Sequence, residues 1–231
     1  MSINRSRRLR QNSPPTDPVA LPREYGIPFA ACYAYSPKGF SEVSERSRQL
    51  YARVKNGGAK WLKSYVASVH QEVARKRRFC GVFDEHTVLV PVPNNTSPTR
   101  TPLWVARRLA LALQEAGLAG GVWTGLRRVS YMERTSSGWM WERPTVQQHY
   151  QSFVVIPSAK PPDEIVLVDG VITKGRTLIA AAMRIHEAFP KADVRAFALV
   201  RTMGLILNVE RLFDPCEGVI RWNGKDVYRE P

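Results

Sequence analysis

Residues 165–178 read IVLVDGVITKGRTL. The segment opens with four apolar residues, three of them β-branched, a composition that favours a buried strand over a helix. Asp169 ends that run. Beyond Thr173 and Gly175 the sequence RTLIAAAMRIHEAF has helical character until Pro190, which cannot continue a helix. In an open parallel sheet, ligands bind beyond the carboxyl ends of the strands, so the loop between this strand and this helix is a candidate site. Gly175 lets backbone approach a ligand closely, and Thr173 and Thr177 add hydroxyl donors. The helix N-terminus contributes unpaired N–H groups with partial positive charge. That set suits a phosphate. The spacing is neither the GxxxxGK[ST] of a nucleoside-triphosphate loop nor the GxGxxG of a dinucleotide fold.

Working outward, TVLVPVP at 87–93 reads as a second buried strand. Thr101 is placed to cap a helix that has Pro102 at its first position and runs through LWVARRLALALQEA to Gly117, a C-terminal glycine. GVWTGLRRV, SFVVIP and VRAFALV supply further strands. The alternation of strand and helix predicts a parallel α/β sheet with right-handed crossovers. Residues 130–148 hold neither period and include Trp139, Met140 and Trp141. They read as a long loop, either a lid over the site or a docking surface for a partner. His149 and Gln148, at the entry to the next strand, read as structural.

Upstream, SEVSERSRQLYARVKNGG from Ser41 predicts a serine-capped helix ended by Gly57 and Gly58. The next stretch, KWLKSYVASVHQEVARKRRF, places Trp61, Leu62, Tyr65, Val66, Val69 and Val73 on one helical face. It ends in the cluster Arg75, Lys76, Arg77 and Arg78, which suits the negative end of a helix and also a nucleic-acid backbone.

The chain of 231 residues carries a formal net charge of +14, unevenly spread. Residues 1–80 hold 16 Lys and Arg against 5 Asp and Glu, and residues 81–231 hold 18 against 15. The basic N-terminal third is either a solvated face or a surface for an anionic partner, nucleic acid first among them. Residues 1–23 are rich in Arg, Ser and Pro and poor in large apolar groups, the composition of a disordered basic arm. Residues 24–86 then form a helical, basic region contributing to a hood, 87–203 the core, and 204–231, with Trp222, the rest of the hood. No run reaches the length of a membrane span, and the N-terminus lacks the apolar segment of a secretory signal. Cys32, Cys80 and Cys216 are odd in number and far apart, as reduced cytoplasmic thiols are. His70, His86 and His186 have no metal-ligand spacing.

With these residues in place, 165–177 resembles the signature of the type I phosphoribosyltransferases: an apolar strand, two adjacent acids, two further residues, then Thr-Thr-Gly-x-Thr. The order of elements across 87–203 is most similar to the ComF-like branch. The resemblance implies a parallel sheet flanked by helices with a small hood, and phosphoribosyl pyrophosphate (PRPP) or a related nucleotide as ligand. It gives Asp169 the ribose hydroxyls, and Thr173, Lys174, Gly175, Arg176 and Thr177 the 5′-phosphate. Asn94, Asn95 and Arg100 become candidate donors to the pyrophosphate. It also implies Mg²⁺, reached by Asp169 through a bound ligand or water.

The departures from the pattern bear on activity. Gly170 stands where the second acid belongs, Lys174 replaces the second threonine, and NNTSPTRTPLW replaces the Arg-Gly-Phe-Asn run usual after VPVP. Two functions stay open. One is a Mg²⁺-dependent phosphoribosyltransferase that releases pyrophosphate. The other is a degenerate module that binds nucleic acid or a nucleoprotein partner, as relatives do in transcription regulation and in retron-type antiviral defence. A further protein partner or a homo-oligomer fits either function.

Overall fold

The longest described strand lies where sequence patterning gave no element. Tyr25–Tyr35 (β1) is eleven residues of YGIPFAACYAY, buried almost throughout. The structure is a computed structural model that describes residues 20–56, 59–76, 78–94, 104–130, 144–156, 162–204, 206 and 208–231. Residues 1–19 of the expected arm and most of loop 130–148 therefore lie outside the described residues, while its last residues belong to the fold: Leu21 packs against the core and the Pro22 carbonyl accepts from Trp222 Nε1 at 2.9 Å. Three more strands follow the expected order: β2 (Val88–Pro91), β6 (Glu164–Ile172) and β7 (Asp193–Thr202). GVWTGLRRV splits at Gly125 into β3 (Gly121–Val122) and β4 (Leu126–Arg128); β4 pairs antiparallel with β5 (Phe153–Val155) in a separate two-stranded ribbon. The C-terminal strands are β8 (Phe213–Trp222) and β9 (Val227–Glu230).

The main sheet has seven strands in the order β3-β2-β6-β7-β1-β8-β9. The first five run parallel, while β8 lies antiparallel to β1 and β9 antiparallel to β8. Two expectations change. Residues 24–86 include a strand embedded in this sheet, and β8 and β9 extend its edge where a hood was expected. The reason is visible in β1: a strand covered on both faces shows a continuous apolar run in place of alternation, and Pro28 breaks its appearance further.

Five helices flank the sheet. On one face α1 (Glu42–Lys55), α2 (Ala59–Ala74) and α3 (Val105–Glu115) bury Leu50, Val54, Val66, Val69, Leu109 and Leu113 against Val166, Val168 and Phe197. On the other, α5 (Arg176–Ala188) buries Leu178, Ile179 and Ile185 against Phe29, Leu167 and Ile220, joined by Tyr150 of α4 (Val146–Ser152). Ser41 caps α1 as expected, accepting from the Ser44 amide. Helix α3 starts later than expected, with Trp104 at its cap position and no side-chain cap; Thr101 lies outside the described residues. Gly117 follows it at φ 76°, the left-handed turn that glycine tolerates after a helix.

This topology creates one crevice. From β2 the chain passes through α3 to β3 on one side, and from β6 through α5 to β7 on the other. Helices α3 and α5 thus leave opposite faces, and the carboxyl ends of β2 and β6 are left open between them. That is the switch point at which ligands enter sheets of this kind.

Candidate functional site

Two cavities fill the crevice. The larger, about 530 Å³, is lined by Lys55 and Asn56 at the end of α1, by Asn94 after β2, and by Trp104, Arg128, His149, Asp169 and Gly170. The smaller, about 260 Å³, is lined by Pro144, His149, Asp169 and the whole segment from Val171 to Leu178. Four residues belong to both walls: His149, Asp169, Val171 and Thr177. Together the cavities have the volume of a small-molecule site.

The smaller cavity is shaped by Gly175, whose φ of 98° and ψ of 11° are left-handed. An L side chain there would be strained, and its Cβ would stand 2.7 Å from Ile220 Cγ2. The turn delivers the chain into α5 with no side-chain cap. The amides of the first turn have no carbonyl behind them within the helix, so they present donors and partial positive charge to the cavity. Thr173 and Thr177 flank this opening, as the sequence suggested. Thr173 Oγ1 is 3.5 Å from Thr202 Oγ1, and Thr177 Oγ1 is 3.4 Å from His149 Nε2.

Lys174 and Arg176 have a different partner. Lys174 Nζ is 2.5 Å from Asp226 Oδ2, and Arg176 donates to Asp226 Oδ1 from Nη2 at 2.8 Å and from Nε at 3.2 Å. Asp226 sits in the turn between β8 and β9, where its amide donates to Asn223 Oδ1. The Lys174 ammonium, followed by the Arg176 guanidinium, holds the Asp226 carboxyl well below the usual carboxylate range. A carboxylate of this chain therefore occupies both cationic side chains that the sequence reading gave to a phosphate.

Asp169 stands where the two cavities meet. Its Oδ1 accepts the Gly170 amide at 2.7 Å. Burial pushes its carboxyl up to about 6, against the opposing pull of the Gly170 amide, Lys55, the Val171 amide and Arg128. Gly170 points to the other face of the sheet, where a Cβ would stand 3.0 Å from Val105 Cγ1 and 3.5 Å from Val54 Cγ1. The side of the strand that would carry a second acid borders the larger cavity, and Val105 and Val54 crowd the Cβ position there.

Arg128, which sequence reasoning did not single out, and His149, which it read as structural, complete the junction. Arg128 is buried with its guanidinium 4.3 Å over the Phe153 ring. It donates from Nε to the Asn94 carbonyl at 3.1 Å and from Nη1 to Ser152 Oγ. It thereby ties the loop after β2 to the end of α4. His149 is 7% exposed, and Nδ1 has no hydrogen-bond partner among the described residues. Burial first, then the charges of Arg128 and Arg176, lower its proton affinity to about 4, so the ring is neutral at physiological pH. Its position follows from a capping box, in which Thr145 Oγ1 accepts the Gln148 amide while Gln148 Oε1 accepts the Thr145 amide. Thr-Val-Gln-Gln carries the spacing of that motif, which was legible inside the segment read as loop. For Arg128 the signal was LRR in a short strand, where alternation turns one arginine inward.

The other expected residues divide. Asn94 lines the larger cavity, whereas Asn95 and Arg100 lie outside the described residues, as does Arg77. Arg75, Lys76 and Arg78 are exposed and belong to neither cavity wall. Among the described residues no group of three or more His, Cys, Asp or Glu could hold a metal ion. Among the described residues Asp169 is the carboxylate in the two cavity walls. Mg²⁺ bound by a protein ordinarily keeps waters and relies on one or two carboxylates plus ligand phosphates, so any Mg²⁺ here would be held by Asp169 together with the phosphates of a bound ligand. Among the described residues no helix is long and apolar enough to cross a membrane. No model of a known protein family matches the chain, and no characterised protein matches it significantly.

Proposed function

We propose that the crevice binds a ribose phosphate, PRPP or a related nucleotide, in the manner of a type I phosphoribosyltransferase. The observation that carries this reading is the meeting of two cavities at one carboxylate, directly beside a left-handed glycine that opens a helix N-terminus. A monoester phosphate suits the smaller cavity, where amides and the hydroxyls of Thr173 and Thr177 supply donors without a cation. Asp169 faces the sugar hydroxyls as an acceptor. The larger cavity, with Lys55, Arg128 and Asn94 on its wall, suits the remaining polar or anionic part of the ligand.

The same geometry separates binding from turnover. Phosphoribosyl transfer expels pyrophosphate from a ribose that becomes cationic, and the protein must stabilise that charge. Here Asp169 is the carboxylate placed for it, and its raised proton affinity leaves it only partly protonated near neutral pH. Gly170 offers no second acid. We therefore assign binding as the primary property and transfer as the activity to be assayed beside it.

Calorimetric titration of PRPP and of ribose 5-phosphate, with and without Mg²⁺, tests the binding. Saturable binding of both, lost in Asp169→Asn or Gly175→Ala, is the expected result. Pyrophosphate release that depends on PRPP and vanishes in Asp169→Asn would establish the enzyme. Binding without release would establish a ligand-sensing module.

A further inference from the structure

We infer that the corner where α1, α2 and α3 meet is a docking surface for single-stranded nucleic acid. It is a different surface from the Arg75–Arg78 cluster. Residues 46–71 contain six Lys and Arg and no Asp or Glu, and residues 86–114 contain three Arg and no Asp or Glu. The fold brings residues 53–65 of the first stretch against 105–108 of the second. A shallow groove is lined there by Arg53, Trp61, Tyr65 and Arg108, over Val54, Leu62 and Val105.

Trp61 is the second observation. Helical periodicity places it on the buried face of α2 with Leu62 and Val66, yet it is 46% exposed while those two are buried. The Arg53 guanidinium lies 4.3 Å from its ring. Among the described residues no carboxylate forms an ion pair with Arg53; on this side Glu115 pairs with Lys63 at 3.5 Å. An exposed indole beside an uncompensated cation is the arrangement on which unpaired bases stack while the backbone is neutralised. Charge alone would suit any polyanion, including an acidic protein segment. The flat aromatic surface selects a strand with free base faces, which a duplex does not offer.

The groove also adjoins the crevice. Val54 and Val105 line both it and the larger cavity, and Lys55 follows Arg53 into that cavity. A bound strand would pass the mouth of the ribose-phosphate site, although the inference stands on the groove's own residues.

The test is fluorescence anisotropy on the full chain with a labelled single strand of about 12 nucleotides, a length within the span such sites cover. The matching duplex, heparin and poly-glutamate serve as comparisons. The expected result is preference for the single strand, with affinity falling as salt rises. Trp61→Ala should weaken the single strand by about fivefold or more and leave heparin binding unchanged. Arg53→Glu should weaken both and reduce the salt slope by about one. Thermal melting and ribose 5-phosphate calorimetry on each variant verify that the fold and the crevice are intact. Loss of ribose 5-phosphate binding in wild type with strand binding retained would sink only the earlier reading. Absence of strand binding, indifference to Trp61→Ala, or equal affinity for poly-glutamate would overturn this one, the last by pointing to an acidic protein partner.

Discussion

Asp169 and Gly170 are adjacent and face opposite sides of one strand, which gives them separable consequences. A buried carboxyl raised to about 6 stands above its unfolded value of about 4. The folded state therefore binds the proton more tightly than the unfolded one, and the contribution of this group to stability is lost as pH rises through 6. Asp169→Asn removes that cost, and should raise stability at pH 8 by on the order of 1–3 kcal/mol while changing little at pH 4. Denaturant melts of the two proteins at both pH values measure it. His149 acts in the other direction: with its proton affinity lowered to about 4, its contribution is complete above about 6.5 and falls as pH drops. The Asp169 effect is thus read from the difference between variant and wild type, in which the His149 contribution cancels. Gly170→Asp would write the missing acid into the sequence, but the new carboxylate meets Val105 and Val54. It should destabilise by roughly 1–3 kcal/mol, as overpacking against Val105 does, and should not confer pyrophosphate release. A Gly170→Asp protein as stable as wild type would show that α1 and α3 yield at this point.

Among the elements, the turn joining β8 to β9 governs the loop joining β6 to α5. Asp226 draws Lys174 and Arg176 toward the sheet edge and neutralises cations that would otherwise act on an anion in the smaller cavity. Asp226→Asn removes the competing negative charge, and ribose 5-phosphate affinity is expected to rise about fivefold or more, since charge-assisted bonds to phosphate exceed neutral ones. An unchanged or weaker affinity would mean that the Asp226 contact holds the loop in its binding shape. No local pattern could have revealed this pairing, because the partners lie about 50 residues apart in the chain. The helices and strands flanking the loop were legible for the opposite reason. Apolar β-branched runs and a helix bounded by Gly175 and Pro190 are local signals. Helix α4 was missed although its capping box was present, since the irregular residues before it dominated the reading.

At the scale of the whole molecule, the parallel order of β2, β6 and β7 was legible because strand and helix alternate there. The strands closing the sheet were not. β1 is buried on both faces and lost its periodicity to that burial, and from the far end of the chain β8 pairs with it and β9 with β8. Residues expected to form a hood contribute Lys55 and Asn56, at the end of α1, to the wall of the crevice, and Asp226 to the ion pairs beside it. Of the site itself, Asp169 and the loop through Thr177 were legible as a motif. Arg128 and His149 enter through the β4–β5 ribbon and α4, whose position depends on tertiary packing.

The turn between Asp169 and Thr177 is the proposed grip on a sugar-linked phosphate. Its most direct test is calorimetry of ribose 5-phosphate against wild type, Gly175→Ala and Asp169→Asn at one pH and salt concentration. The account expects saturable binding at one site per chain, with inorganic phosphate competing, and a loss of about tenfold or more in each variant. Absence of binding to a folded wild-type protein, or equal affinity in all three, would contradict it.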